Sequence, residues 1–327
     1  MRKVVYLLAV LVLTSMFVLV GCGEGDESGA SDGNGDSDSD GEKHKIGILA
    51  PEVTHGWVAA VAYHAEQRAE ELSDQVEYQI QTSSDAGEMT SQLDDLMTWG
   101  AEAIVAFPQW EGMEVPIQNA LDEGVEIVNF DIVIDADGVY RVAGDNKDMG
   151  VQGAHYIVDK IGDNGHVVAL EVPSAGSVSE LRMEGFEETI AEIAPDMEIS
   201  TYASEFTREA GLQDFQDILT SNSHIDAVYS LDDETSVGVI QAIQESGRDD
   251  IQVVTGGGGM QEYFEMMPDY DELWVQSALY SPAMVQDAVD MAVDILNGED
   301  VVEDKIIPTT IVDRENYEEF LDEDSPY

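Results

Sequence analysis

The chain has 327 residues, with 13 lysines and arginines against 69 aspartates and glutamates, a formal net charge of −56. So negative a surface repels nucleic acid and anionic lipid and opposes compaction at low salt, which excludes a nucleic-acid-binding role. The apolar fraction, 43%, is that of a globular protein, and the length leaves room for two domains.

The chain opens Met1-Arg2-Lys3, and no charge follows from Val4 to Val20. A short basic start, an apolar core and then small residues form the layout of an export signal, and this core falls short of the roughly 20 residues of a spanning helix. An uncleaved membrane anchor is the other reading. The single cysteine, Cys22, ends the tetrapeptide Leu19-Val20-Gly21-Cys22, which resembles the bacterial lipobox, where a peptidase cuts before the cysteine and its sulfur takes up diacylglycerol. Residues 1–21 are therefore expected to be a signal peptide and Cys22 a lipidation site, two or more acyl chains being enough for stable anchoring. Residues 23–43 hold no aromatic or large aliphatic side chain, so 22–43 is expected to be a disordered acidic Gly/Ser tether.

From residue 44 onward, strand-like and helix-like patterns alternate. Lys45–Ala50 predicts a strand, Gly56–Leu72 a helix, Val76–Gln81 a strand, and Glu88–Trp99 a helix with Met89, Leu93, Leu96 and Met97 on one face. Strands at Ile104–Phe107 and Val125–Phe130 flank a helix at Val115–Leu121, and a short strand follows near Tyr140–Ala143. The pattern then repeats with helices at Gly150–Ile161, Ser179–Ile193, Ala210–Thr220 and Thr235–Glu245. The strands between them are His166–Leu170, Ile199–Ala203, Ala227–Ser230 and Gln252–Thr255. Strands separated by helices of this length imply βαβ crossovers and parallel sheets, and runs such as HVVAL, apolar at successive positions, fit strands covered on both faces. The fold class is α/β, with two doubly wound lobes whose ligand site lies beyond the carboxyl ends of the strands.

Five segments carry a family resemblance: KIGILAPEVTHGWVAAVAYHAEQRAEEL, WGAEAIVAFPQ, IVNFD, SVSELRMEGFEETI and LTSNSHIDAVYSLDDETSVGVIQAI. In this order and spacing, over about 45–312, the chain resembles type I periplasmic substrate-binding proteins, the ribose- and galactose-binding group whose core is shared by LacI-type repressors. The resemblance implies two parallel-sheet lobes joined by a three-stranded hinge, with crossovers near Gly144–Asn146, Leu279–Pro282 and Pro308. The N-terminal lobe would then comprise 44–145 plus 281–307, and the C-terminal lobe 146–280 plus 308–327.

The same resemblance implies site residues. Trp57 stands where the family places an aromatic against the sugar, whose C–H face packs on a ring while its hydroxyls need polar partners; interlobe core is the other reading. Trp110, after Phe107-Pro108-Gln109, is expected to be a second pocket ring or else a loop anchor on its own lobe. Asp131 matches the sugar-facing aspartate, with a turn cap as the alternative. Trp57 and Asp131 are read as groups whose loss would spare the unliganded fold. The arginine that commonly follows the aspartate is Ile132 here, which weakens a claim to ribose itself. Glu180 falls where the family often has an arginine, and Arg182, two residues on, leaves a slip of two open. Asp232 is the expected ligand residue and Asp233 the helix cap. Phe206 and Tyr280 match further pocket and crossover positions, and His55 can donate to a hydroxyl. Gly256–Gly259 stands where the family carries a Gly-aromatic-Asp segment; Gly257 is counted with the site because glycine allows close backbone approach.

A phosphate loop is not expected, since no Gly-Lys-Ser/Thr follows the glycines. The histidines form no HExxH, and one cysteine makes no zinc-finger spacing, so neither metal nor cofactor is expected. The expectation is a monomeric, lipid-anchored, extracytoplasmic binding protein, not an enzyme. It would clamp a neutral monosaccharide or polyol by hinge closure and deliver it to an ABC permease. A tethered sensor for a chemoreceptor or histidine kinase, and a binder of a small cation held by cation–π attraction, stay open. A carbohydrate hydrolase is a weaker rival, because nothing positions a distinct acid and base. A LacI-type repressor is not expected, with no helix-turn-helix before residue 44. Of the 13 basic residues, Arg2 and Lys3 fall in the signal, leaving 11 against 69 acidic ones and a mature balance of −58. That excess points to a saline or alkaline habitat, an acid-rich surface with no habitat meaning being the other reading. The melting midpoint should accordingly rise between low salt and about 1 M NaCl, where the screening length falls to roughly 3 Å; a flat midpoint in a salt series would refute the salt adaptation.

Overall fold

The computed structural model describes residues 43–52, 56–322 and 324–327. The expected signal peptide, Cys22, all but the last residue of the tether, and His55 thus lie outside the described residues.

In chain order the first elements are β1 (His44–Pro51), α1 (Gly56–Glu71), β2 (Val76–Ser83), α2 (Ala86–Trp99), β3 (Ala103–Ala106), α3 (Glu114–Asp122), β4 (Glu126–Phe130) and β5 (Tyr140–Gly144). Next come α4 (Asn146–Ile161), β6 (Asn164–Glu171), α5 (Ser177–Ile193), β7 (Asp196–Ala203), α6 (Arg208–Ser221), β8 (Ala227–Ser230) and α7 (Asp233–Ser246). The chain continues through β9 (Val253–Val254), β10 (Gly257–Gly258), α8 (Gln261–Met266), β11 (Trp274–Leu279), α9 (Val285–Leu296), β12 (Asp304–Ile307) and β13 (Ile311–Asp313).

The strands form two sheets. One has the order β12-β5-β4-β3-β1-β2 with every pair parallel. The other runs β10-β11-β9-β8-β6-β7, also parallel, with β13 added antiparallel to β11. This antiparallel strand departs from the all-parallel expectation. Its cause is local: β13 follows β12 through a short link at Pro308, and without a crossover helix the chain cannot turn back to run parallel. The chain passes between the sheets after β5, after β11 and between β12 and β13. The described residues hold together as one compact unit.

Alternation along the strands divides the core. Ile104 and Ala106 of β3 pack with α2 and α3, whereas Ala103 and Val105 pack with α1 and α9. In the second sheet Val167 and Ala169 of β6 face α4 and α5, and Val168 and Leu170 face α6 and α7. Both faces are covered, as the apolar runs predict. Helix ends follow capping chemistry: the Asp85 side chain accepts from the Glu88 N–H at 2.9 Å, and Gly100, at φ +93°, closes α2 with its N–H directed to Leu96 and Met97 carbonyls. Asp145 caps α4 from Asp148 in the same way, so that helix begins at Asn146, four residues before its apolar pattern at Gly150. The sequence pattern does not reach β10 to β13: two glycines carry no side-chain alternation, and the last strands are three to six residues long.

Two glycines fix where α5 lies. A Cβ built at Gly150 of α4 would sit 2.1 Å from the Arg182 carbonyl oxygen, and one at Gly185 of α5 2.1 Å from that of Lys147. The two helices touch backbone to backbone, and this holds α5 against the sheet. Gly185→Ala should therefore destabilise the protein by about 1–3 kcal/mol through overpacking, outweighing the roughly 1 kcal/mol that alanine gains in helix propensity; a urea unfolding curve showing a gain in stability would contradict this contact.

Candidate functional site

The carboxyl ends of both sheets converge on one cavity of about 500 Å³. The first sheet contributes Trp57 at the start of α1, Phe107 and Trp110 after β3, and Asp131 after β4. The second contributes Arg182 from α5, Phe206 after β7, Asp232 after β8, and Gly257 in β10. Tyr280, on the segment passing from β11 back to the first sheet, stands between the two groups.

Trp57 is wall and core at once. Its ring lies 6.1 Å from Phe130 in a stacked arrangement, 6.0 Å from Phe107 edge-on and 5.8 Å from Tyr280. The indole N–H donates to the Tyr280 carbonyl at 2.8 Å, so what faces the cavity is apolar ring rather than a donor. Trp57→Ala would cost about 3–5 kcal/mol of folding free energy in so packed a place, which corrects the expectation that its loss spares the fold. Trp110 is only partly buried and packs against the core beside α2 and α3.

Asp131 is the one non-glycine residue with positive φ, +66°, among the described residues. The turn is held from several sides: the Arg141 guanidinium donates to the Asp131 carbonyl at 2.9 Å, and the Asn129 amide donates to the Ile132 carbonyl. Aspartate and asparagine tolerate this conformation better than other side chains. The turn points the carboxyl inward, where the Tyr280 hydroxyl donates to Oδ1. The Tyr280 oxygen in turn accepts from the Asn146 amide at 3.1 Å, and the Asn146 carbonyl oxygen accepts from Arg182 Nε at 2.8 Å. Arg182 Nη1 also donates to the Leu231 carbonyl at 2.7 Å, and its guanidinium lies 4.9 Å from the Tyr280 ring centre. Arg182, Asn146, Tyr280 and Asp131 thus form one buried relay from the second sheet's end to the first's. Burial pushes the Asp131 carboxyl up, while Tyr280, Arg182 and Arg141 pull it down.

The adjacent acids divide their roles differently from the expectation. Asp232 caps α7, accepting from the Thr235 N–H at 3.1 Å, and it also lines the cavity. Asp233 faces the core: its Oδ2 accepts from Gly259 N–H at 2.8 Å, Met260 N–H at 3.0 Å and the Ser277 hydroxyl at 2.9 Å. Asp233 therefore ties the glycine loop in place rather than capping the helix. Burial pushes Asp232 up to about 7 and Asp233 up to about 6.

Glu180 is exposed on the first turn of α5 and does not line the cavity. Two residues on, half a helical turn away, Arg182 points inward, so the slip of two is the arrangement that the fold adopts. The sequence patterns missed Asn146, whose part depends on the crossing segment, as well as Glu111 and Glu114 at the cavity mouth, two acids among many. They also missed Tyr327, which no motif flags. Among the described residues no cluster of His, Cys, Asp or Glu could hold a metal ion.

Known proteins share this architecture. A solute-binding protein of an ABC transporter from Bacillus halodurans C-125, solved with bound myo-inositol, superposes with a TM-score of 0.78 at 22% identity, covering 88% of this chain and 100% of that one. The ribose import binding protein of Bacillus subtilis (strain 168) is 26% identical over 304 residues, 92% of this chain and 95% of that protein. The D-allose-binding periplasmic protein of Escherichia coli (strain K12) is 28% identical over 205 residues, 59% of this chain and 66% of that protein. The family model described as a periplasmic binding protein domain matches residues 46–300. With that match over most of its length and two parallel-sheet lobes meeting at a shared cavity, the chain belongs to the periplasmic binding protein family.

Proposed function

We propose that the protein captures a small neutral polyhydroxylated molecule, a monosaccharide or polyol, between its lobes and hands it to an ABC permease. The lobes are taken as 44–145 plus 281–307 and 146–280 plus 308–327. They close around the guest, whose bonds to both shift the population toward the shut form. The protein works outside the cytoplasm as a monomer held to the membrane by lipid on Cys22, and it carries out no catalysis. The observation that carries this reading is the pairing, in one cavity, of an aromatic wall (Trp57, Phe107) with carboxylates (Asp131, Asp232) and a single buried guanidinium. Rings suit the C–H faces of a sugar, and carboxylates accept its hydroxyl protons. The relatives named for ribose and D-allose support the ligand class. A cationic guest is less well served, because Arg182 already holds the positive place beside Tyr280.

A thermal-shift screen over pentoses, hexoses, polyols and quaternary amines identifies the ligand class. In calorimetry with the best sugar, Asp131→Asn keeps the turn and can still accept from Tyr280, yet it removes a charged acceptor. It should weaken binding roughly 10-fold or more. Trp110→Ala should weaken it too, while lowering the unliganded melting point less than Trp57→Ala does, because Trp110 packs only at the edge of the core. Unchanged constants in both variants would contradict the site.

The raised acids also set a pH dependence of folding. An ordinary aspartate titrates near 3.8, whereas Asp232 and Asp233 titrate near 7 and 6 in the folded protein. Between about pH 4 and 7 the folded state holds protons that the unfolded chain has released, so these groups lower stability as pH rises through that window. Asp232→Asn keeps the helix cap and removes that group's share. Its melting point relative to the parent should climb from pH 5 to about pH 7 and level off above it; a constant difference between pH 5 and pH 7 would contradict the buried-acid account.

A further inference from the structure

Tyr327 is 6% exposed and forms part of the cavity wall. Its segment is strapped to α8 of the second lobe. The Gln261 N–H donates to the Tyr327 carbonyl at 3.2 Å, and the Gln261 side chain accepts from the Asp322 N–H at 2.7 Å and donates to the Phe320 carbonyl at 3.4 Å. From there the ring reaches the other lobe. A Cβ built at Gly56, the first residue of α1, would lie 2.9 Å from Tyr327 Cδ2, and one built at Gly258 would lie 2.9 Å from the Tyr327 hydroxyl oxygen. The two glycines face each other across the ring, and it occupies the room that their missing side chains leave. The loop Gly256–Gly259, where the resemblance implies an aromatic, has none of its own, and Tyr327 brings a ring against it from a distant part of the chain. Its hydroxyl makes no hydrogen bond among the described residues, yet it is not one of their sealed-in unpartnered polar atoms, so it keeps open space beside it at the cavity.

We propose that Tyr327 is a ligand-contacting and size-selecting residue: its ring seals the cavity between Gly56 and Gly258, and its hydroxyl bonds the bound molecule. The site then takes a single sugar ring or a short polyol and rejects a disaccharide. The inference rests on the sugar-binding reading for its ligand, but the seal itself can be measured without one.

The test compares the full chain with Tyr327→Phe and Tyr327→Ala in two measurements. In calorimetry with D-ribose, D-allose, xylitol, myo-inositol and cellobiose, Tyr327→Phe should weaken the tightest single-ring or polyol probe about 3- to 10-fold, the worth of one neutral hydrogen bond. Tyr327→Ala should weaken it further and let cellobiose bind. In hydrogen–deuterium exchange without ligand, Tyr327→Ala should speed exchange at both 56–61 and 257–261, while Tyr327→Phe leaves both unchanged. Dissociation constants equal to the parent's in both variants would overturn the proposal. If the parent binds none of the five probes, the sugar reading fails instead, and exchange alone decides the seal: faster exchange at both segments supports it, and unchanged exchange at either overturns it.

Discussion

The structure depends on one buried polar relay, in which Arg182 donates to Asn146, Asn146 to Tyr280 and Tyr280 to Asp131. Its members come from four places: a helix of the second lobe, the start of α4 just past one crossing segment, a second crossing segment, and a strand end of the first lobe. Buried polar groups are costly when unpaired, at about 1–3 kcal/mol each, so every member fixes the position of the next. The relay passes beside the crossing segments about which two lobes of this kind can turn. It leaves the second oxygen of Asp131 without a partner among the described residues, and that oxygen borders the cavity. A guest that bonds to Asp131 on one side and to Asp232 or Tyr327 on the other therefore couples to the hinge directly.

The relay also explains how so acidic a chain can build a binding site. Asp131 and Asp232 stand at the cavity with Arg182 near both, and its charge lowers the cost of each carboxylate. Burial still outweighs that help and drives both acids upward. The cavity thus sets two carboxyl groups beside one buried guanidinium, an arrangement that offers hydrogen-bond partners to hydroxyls. The remaining acids are mostly on the outer surface, where salt screens them.

Much of the fold was legible because parallel strands buried on both faces leave apolar runs, and the helices between them leave a 3.6-residue stripe. The helix starts were less so: Asp145 begins α4 before its apolar stripe does. Strand ends marked loops that line the cavity, and Trp57, Trp110, Asp131, Arg182, Phe206, Asp232, Gly257 and Tyr280 meet there. What failed was angular: Glu180 and Arg182 lie on opposite sides of α5, and neighbouring Asp232 and Asp233 point to the cavity and the core respectively. One-dimensional spacing does not resolve such differences when the start of a helix is uncertain by two residues. Tyr327 was illegible for another reason, since its place is set by a long-range strap to α8 and by two distant glycines. Trp57 shows that wall and core are not alternatives, because one ring can pack into the lobe and line the cavity as well.

The most direct test of closure around a neutral guest is small-angle X-ray scattering of the full chain with D-ribose, D-allose, xylitol, myo-inositol and choline in turn. At least one of the four neutral compounds should reduce the radius of gyration, and choline should not. An unchanged radius with all four, or contraction with choline alone, would contradict closure around a neutral guest.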